Sequence, residues 1–227
     1  MIKNILILVG GRGTRLGNLT KNTPKPLLKF NDKVFLDFII SKLLTLKTKN
    51  IYLLCHYKSN QFFKKYHNKI IKNVKIKCIK EPKPLGTGGS LYYSKKLIQN
   101  NTLVCNGDTF YDYDFKLLEN IKLPQDNIFM LCVQNINYKS NKKLANLGIR
   151  NRKLYFKINS KLMNSGIYII NKYLSKYLNK DIFSLENEIL EELINKKKVV
   201  GKKVNIFNLD IGTKKNYKKF LSISKNL

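Results

Sequence analysis

Histidine, cysteine and acidic residues are all scarce in this chain, and each scarcity removes a class of function. Only His56 and His67 occur, eleven positions apart, which excludes a His-based zinc site and leaves both as surface or structural residues. The four cysteines (Cys55, Cys78, Cys105, Cys132) are scattered without a C-x-x-C, mostly within strand-like apolar runs. They read as buried free thiols of a reducing cytoplasm, not as a disulfide framework. No apolar run approaches the roughly eighteen residues of a membrane span. Ile5 to Val9 is too short for a signal-peptide core and runs straight into a glycine-rich loop. A cytoplasmic protein with no membrane partner is therefore expected.

Acidic residues number 14 against 44 basic ones, giving a formal net charge of +30. That excess invites a nucleic-acid reading. The lysines, however, are spread over the whole chain beside abundant Asn, Ile and Tyr, as a compositional bias and not a patch. Runs such as Lys196–Lys198 and Lys214–Lys215 are short and fit solvated helix ends. No RNA-binding aromatic signature or helix-turn-helix pattern occurs. We expect small anionic substrates, no specific nucleic-acid partner, and a monomer or small homo-oligomer.

The 227 residues suffice for one domain spanning 1–227. Apolar strands alternate with amphipathic helices. Strands are predicted at Lys3–Val9, Ile51–Cys55, Val74–Ile79, Thr102–Cys105, Ile128–Gln134, Gly166–Ile170 and Val204–Asn208. Helices are predicted at Phe35–Leu46, Asn60–Tyr66, Gly88–Ile98 and Leu185–Lys196, with a last one capped near Thr213. Leu147–Ile158 reads as a hairpin turning at Asn151-Arg152. This βαβα order predicts an α/β fold: a Rossmann-like, three-layer α/β/α arrangement around a mostly parallel twisted sheet.

The most informative segment is Val9 to Leu28, VGGRGTRLGNLTKNTPKPLL. A glycine-rich turn after a strand lets backbone N–H groups point at an anion, and Arg12, Arg15 and Lys25 add donors suited to phosphate oxygens. The alternative is a plain βα turn with solvated basic residues. A dinucleotide loop is excluded because position 16 is Leu16, and a P-loop because no lysine follows Gly13 or Gly17 in register. Ligands in doubly wound sheets sit beyond the carboxyl ends of strands. Asn106-Gly107-Asp108 and Asp210 fall at such ends, and a divalent cation would take their carboxylate oxygens. For a single strand-end aspartate a helix cap or turn is the simpler role; two of them beside the glycine loop favour a shared metal.

G-G-x-G-T-R-L followed by P-K-P resembles the signature of the sugar-phosphate nucleotidyltransferases, and the resemblance extends over nearly the whole chain. It implies a glycosyltransferase-A-like nucleotidyltransferase fold and transfer of a nucleoside monophosphate to a sugar 1-phosphate, with release of pyrophosphate. The activated sugar would serve surface polysaccharide. It implies that Val9, Gly10, Gly11, Gly13 and Thr14 wrap the triphosphate, that Arg15 and Lys25 contact phosphates, and that Asp108 and Asp210 hold Mg2+. Leu85–Gly89 resembles the loop that meets base and ribose, here through Gly86 and Thr87. Asn164-Ser165-Gly166 resembles a motif that meets sugar hydroxyls, with Asn106 and Gly148 lining the same pocket. Relatives usually carry a Glu-Lys pair shortly before that motif. Here the stretch is LYFKINSKLMNSG, without glutamate, so either Lys157 or Lys161 is left to hold the sugar phosphate. The short stretch after Asp210 leads us to expect no appended hexapeptide β-helix.

Base identity turns on Glu81. Guanine presents N1–H and N2–H2 as adjacent donors that one carboxylate accepts together, whereas uracil and thymine suit an amide better. The alternative is that Glu81 merely ends a strand and is solvated. E-P-x-P-L-G-T-G-G, N-G-D-T-F and F-S-L-E are most similar to the family's guanylyltransferases for heptose 1-phosphate. Those for mannose or another hexose come next, followed by uridylyl- and cytidylyltransferases. Phe183–Glu186, the F-S-L-E stretch, is given no catalytic role. A nucleotide- or polyanion-binding regulator on the same fold is the non-enzymatic alternative, against which intact Arg15, Lys25, Asp108 and Asp210 argue.

Overall fold

The computed structural model describes residues 2–121, 123–124, 126–134 and 146–227. Strand β1 (Asn4–Leu8) leads into the glycine loop, and a small hairpin of β2 (Lys29–Phe30) and β3 (Lys33–Val34) precedes α1 (Phe35–Leu43). Next come β4 (Asn50–Cys55), α2 (Ser59–Tyr66), β5 (Ile70–Ile71), β6 (Val74–Lys80), α3 (Gly86–Tyr93), β7 (Thr102–Asn106) and β8 (Thr109–Tyr111). The second half holds β9 (Ile128–Gln134), β10 (Leu147–Arg150), β11 (Lys153–Phe156), β12 (Leu162–Ile170), α4 (Glu191–Asn195), β13 (Val199–Val204), β14 (Asn208–Asp210) and α5 (Lys214–Ile223).

Ten strands form one sheet in the order β10-β11-β13-β9-β12-β7-β1-β4-β6-β5. Successive strand residues face opposite ways, so Ile5 and Ile7 of β1 enter one buried cluster and Leu6 the other. Helices α1, α2 and α5 cover the first face, and α3 and α4 the second, giving three layers. Burial on both faces explains the nearly continuous apolar runs of β1 and β4. The expected parallel sheet is found across β7, β1, β4 and β6. Beyond it the sheet is mixed: β12 lies antiparallel between β7 and β9, while β9 and β13 are parallel. Strands joined by tight turns must run antiparallel. In the β10–β11 hairpin, Asn151 and Arg152 both have positive φ (48° and 63°), as a two-residue turn of this kind requires.

Several element boundaries differ from expectation, among them those of β13 and α4. The strand expected at Val204–Asn208 lies earlier, as β13, because Val199 and Val200 are the buried residues that pair with Ile128 and Phe129 of β9. Asn208–Asp210 instead pairs with β8 in a separate two-stranded ribbon. The helix expected at Leu185–Lys196 opens with a π-helical turn over Leu185–Leu190 before becoming α4. Thr213 does cap α5, accepting the Asn216 N–H at 3.2 Å.

Helix α5 is locked down by one side chain. The fully buried Phe220 ring lies 4.8 Å from Phe30 and Phe35, 5.4 Å from Phe38 and 5.2 Å from Phe110, centroid to centroid. Phe110 belongs to β8, so this hub steadies the β8–β14 ribbon. Phe220→Ala is expected to cost about 3–5 kcal/mol and to lower Tm by roughly ten degrees in a thermal melt.

Candidate active site

The carboxyl ends of β7, β1 and β4 lie side by side, with Leu8 opposite both Asn106 and Leu54. A cavity of about 430 Å³ opens there. It is lined by Val9, Gly10, Gly11 and Gly13 of the glycine loop, by Lys25, Glu81, Gly86 and Thr87, and by Asn106 and Asp108. Gly13 has φ of +66°, and the Thr20 hydroxyl donates to its carbonyl at 2.9 Å. The amide N–H groups of Gly11, Arg12 and Gly13 find no acceptor among the described residues. Together they form a ready anion cradle.

At one end of the cavity four charges converge. The Lys25 side chain is almost fully buried, and its Nζ donates to Asp108 Oδ2 at 2.5 Å and lies 3.8 Å from Asp210 Oδ1. Arg15 reaches Asp210 Oδ2 at 3.6 Å. The β8–β14 ribbon brings the two aspartates together: Asp210 sits opposite Thr109, and the Ile211 N–H donates to the Asp108 carbonyl at 3.0 Å. Burial raises the Asp210 carboxyl above its usual range, and the Asp108 charge raises it further, against Lys25, the Gly212 N–H and Arg15. Two hard-oxygen donors sharing one ammonium, and repelling one another, suit a divalent cation. Among the described residues no third His, Cys, Asp or Glu joins them.

Glu81 lines the same cavity, beside Gly10 and His56. It is 3% exposed, and its Oε1 has no hydrogen-bond partner among the described residues. The solvated strand end is thus excluded. A Cβ added at Gly10 would lie 3.2 Å from Oε2, so this carboxylate borders the glycine loop. Burial raises its pKa above the ordinary value, partly offset by the Ser90 hydroxyl and by His56. That hydroxyl already donates to the Gly86 carbonyl at 2.8 Å, so the carboxylate is short of donors.

Residues 4–225 match the nucleotidyl transferase family. The chain belongs to that family. It is 34% identical to a D-glycero-α-D-manno-heptose 1-phosphate guanylyltransferase of Campylobacter jejuni, over 95% of this chain and 97% of that one. An enzyme of the same description from Aneurinibacillus thermoaerophilus is 28% identical over 94% and 95%. Among solved structures, HddC from Yersinia pseudotuberculosis superposes with a TM-score of 0.78 at 25% identity, covering 98% of this chain and all of that one. HddC has also been solved with GMP-PN.

Other expected residues of this nucleotidyl transferase lie away from the cavity lining. Thr14 opens a short 3-10 helix (Thr14–Thr20) and is exposed. Gly148 lies opposite Tyr155 of β11, whose ring occupies the space that a side chain there would need. Lys157 and Lys161 flank the exposed turn between β11 and β12. Asn164 is half-buried, its Nδ2 donating to the Tyr168 hydroxyl at 2.6 Å. The glycines of Leu85–Gly89 also serve packing: a Cβ on Gly88 would sit 2.1 Å from the Phe183 ring. That close approach delivers Glu186 to Thr87, whose hydroxyl donates to its carboxylate.

His56 was expected to be a bystander but lines the cavity, its Nδ1 3.4 Å from the Glu81 carbonyl. Its place at the end of β4, level with the glycine loop, was the available signal. Arg12 lines the cavity as well. His67 is structural, accepting the Cys78 N–H at 3.1 Å. All four cysteines are free and buried, and burial pushes the Cys105 and Cys132 thiols up to about 12. No helix among the described residues is long and apolar enough to cross a membrane.

Proposed function

We propose that this nucleotidyl transferase moves GMP from GTP to a sugar 1-phosphate, most specifically D-glycero-α-D-manno-heptose 1-phosphate, and releases pyrophosphate. Its product would be an activated sugar for surface polysaccharide, made in the cytoplasm, where four free thiols are at home. The observation that carries the base assignment is Glu81. A buried carboxylate with an orphaned oxygen, at the wall of a nucleotide-sized cavity, wants two adjacent N–H donors. Guanine N1–H and N2–H2 supply them. The 34% identity to a heptose 1-phosphate guanylyltransferase supports both base and sugar.

In the reaction an oxygen of the sugar phosphate attacks the α-phosphorus in line. A new P–O bond forms as the bond from the α-phosphorus to the bridging oxygen breaks, and that oxygen leaves with pyrophosphate. The phosphate nucleophile is already ionised near neutral pH, so no side chain need act as base. The protein then contributes position and charge. The free amides of Gly11, Arg12 and Gly13 hold the triphosphate oxygens, and Arg15 steadies the leaving pyrophosphate. Lys25 sits among the reacting phosphates, held there by Asp108. Asp108 and Asp210 would hold Mg2+, which when bound neutralises charge on the reacting phosphates. A lysine of the turn between β11 and β12, Lys157 or Lys161, takes the sugar phosphate.

Pyrophosphate release with Mg2+, measured for GTP, ATP, UTP and CTP against a panel of heptose, mannose and glucose 1-phosphates, tests this reading. Release is expected with GTP and to be greatest with the heptose. Release with UTP or CTP but not GTP would remove Glu81 as a guanine reader. No release with any pair would favour a binding protein on this fold.

A further inference from the structure

Glu186 is a carboxylate without a cation in a chain of 44 basic residues. No Lys, Arg or His nitrogen lies within 4 Å of it among the described residues. Its partners are neutral hydroxyls from three elements. Thr87 and Ser184 (the latter at 3.1 Å) donate to Oε2, while among the described residues Oε1 accepts only the Tyr168 hydroxyl, at a long 3.3 Å. Each carboxylate oxygen has room for about two donors, so Oε1 keeps an open acceptor position. An acidic residue in a first helical turn ordinarily faces its own backbone N–H groups. Here Ser184 does that work, accepting the Asn187 N–H at 3.3 Å, and Glu186 turns to Thr87 and Tyr168 instead.

Two irregularities hold it there. The π-helical turn Leu185–Leu190 carries Glu186, and β12 has a register shift between Asn164 and Ile167, just before Tyr168. Such features re-aim side chains and recur at functional sites. Tyr168 in turn takes the Asn164 amide at 2.6 Å. Beside Asn164, Gly166 lies against Asn106, so closely that a Cβ there would be 2.4 Å from Asn106 Nδ2. Thr87 and Asn106 both line the cavity, and hydrogen bonds run from Thr87 through Glu186 and Tyr168 to Asn164, a polar wall that ends beside Asn106 at Gly166. The wall lies outside the lining of the nucleotide cavity proper, beyond Thr87 and Asn106. Asn106, at its edge, lies two residues before Asp108 in the chain.

We infer that Glu186 is a specificity-determining residue whose Oε1 accepts a ring hydroxyl of the sugar 1-phosphate, from a wall that ties the sugar site to Thr87 of the nucleotide loop. The inference rests on the transfer to a sugar 1-phosphate proposed above. A hydroxyl donating to a carboxylate is among the stronger neutral-to-charged hydrogen bonds.

Steady-state kinetics of E186Q test it. Gln keeps the shape but turns one acceptor into a donor facing hydroxyls. The KM for D-glycero-α-D-manno-heptose 1-phosphate is expected to rise about tenfold to a hundredfold. The KM for GTP should stay within about twofold, and E186D should recover part of the loss. Monodeoxy sugar 1-phosphates give a second reading. In the parent enzyme, losing the bonded hydroxyl should cost about tenfold, and in E186Q the same loss should cost nothing. Parallel rises in both KM values, a rise confined to GTP, or a deoxy penalty unchanged in E186Q would each overturn the assignment. If the parent transfers GMP to no sugar phosphate, the proposed reaction fails by itself. Calorimetric binding of α-D-mannose 1-phosphate then decides Glu186: weaker binding by E186Q supports it, and equal affinities refute it.

Discussion

Asp108→Asn is expected to lower kcat by about a thousandfold or more while leaving the fold intact. The side chain keeps its shape, so the Thr109 contact is retained in outline. What disappears is the charge that holds Lys25 Nζ at 2.5 Å and that, with Asp210, makes the site fit a divalent cation. Lys25 is left with Asp210, 3.8 Å away, as its nearest carboxylate, and is drawn off the reacting phosphates. Near-normal pyrophosphate release by this variant would remove Asp108 from the metal site. An independent check needs no turnover. Burial and the Asp108 charge both raise the Asp210 carboxyl, so D108N should let Asp210 ionise at lower pH, as read by carbon NMR titration of labelled aspartate.

Glu81→Gln should trade function for stability. The amide cannot accept guanine N1–H and N2–H2 together, so kcat/KM for GTP is expected to fall about a hundredfold and the preference over UTP to shrink. Stability should move the other way. Burial raises the Glu81 carboxyl, so the folded protein binds this proton more tightly than the unfolded chain. Ionising it therefore costs folding free energy as pH rises through the raised value. Gln carries no such cost. E81Q should melt above the parent at neutral pH, and the two should converge once the pH falls below the ordinary carboxylate range. A parent protein that is already the more stable at neutral pH would contradict the orphaned-carboxylate assignment.

Much of this was readable from residue order. The apolar run of β1, the three glycines after it and the P-K-P lysine announce a phosphate cradle because backbone amides and a nearby cation are local properties. The Asn151-Arg152 turn and the Thr213 cap are local in the same way. Boundaries were harder near β13, where Val199–Val204 and Val204–Asn208 have similar local appeal. Only pairing with Ile128 and Phe129 of β9 selected the first. The place of His56 in the cavity lining was not legible because a lone histidine carries no periodic signal.

Alone, the sequence determined the layered α/β architecture and pointed to the glycine loop and to Arg15, Lys25, Asp108 and Asp210 as its site. It left open whether Glu81 met solvent or a base, and what Phe183–Glu186 was for. Tertiary structure decided the surroundings of both. Burial at 3%, with an oxygen unpartnered among the described residues, excluded the solvated strand end for Glu81, and the packing of Phe183 on Gly88 carried Glu186 across to Thr87. The physical reason is the same in each case. The chemistry of a carboxylate depends on the donors and water around it, and those are assembled by segments far apart in the chain.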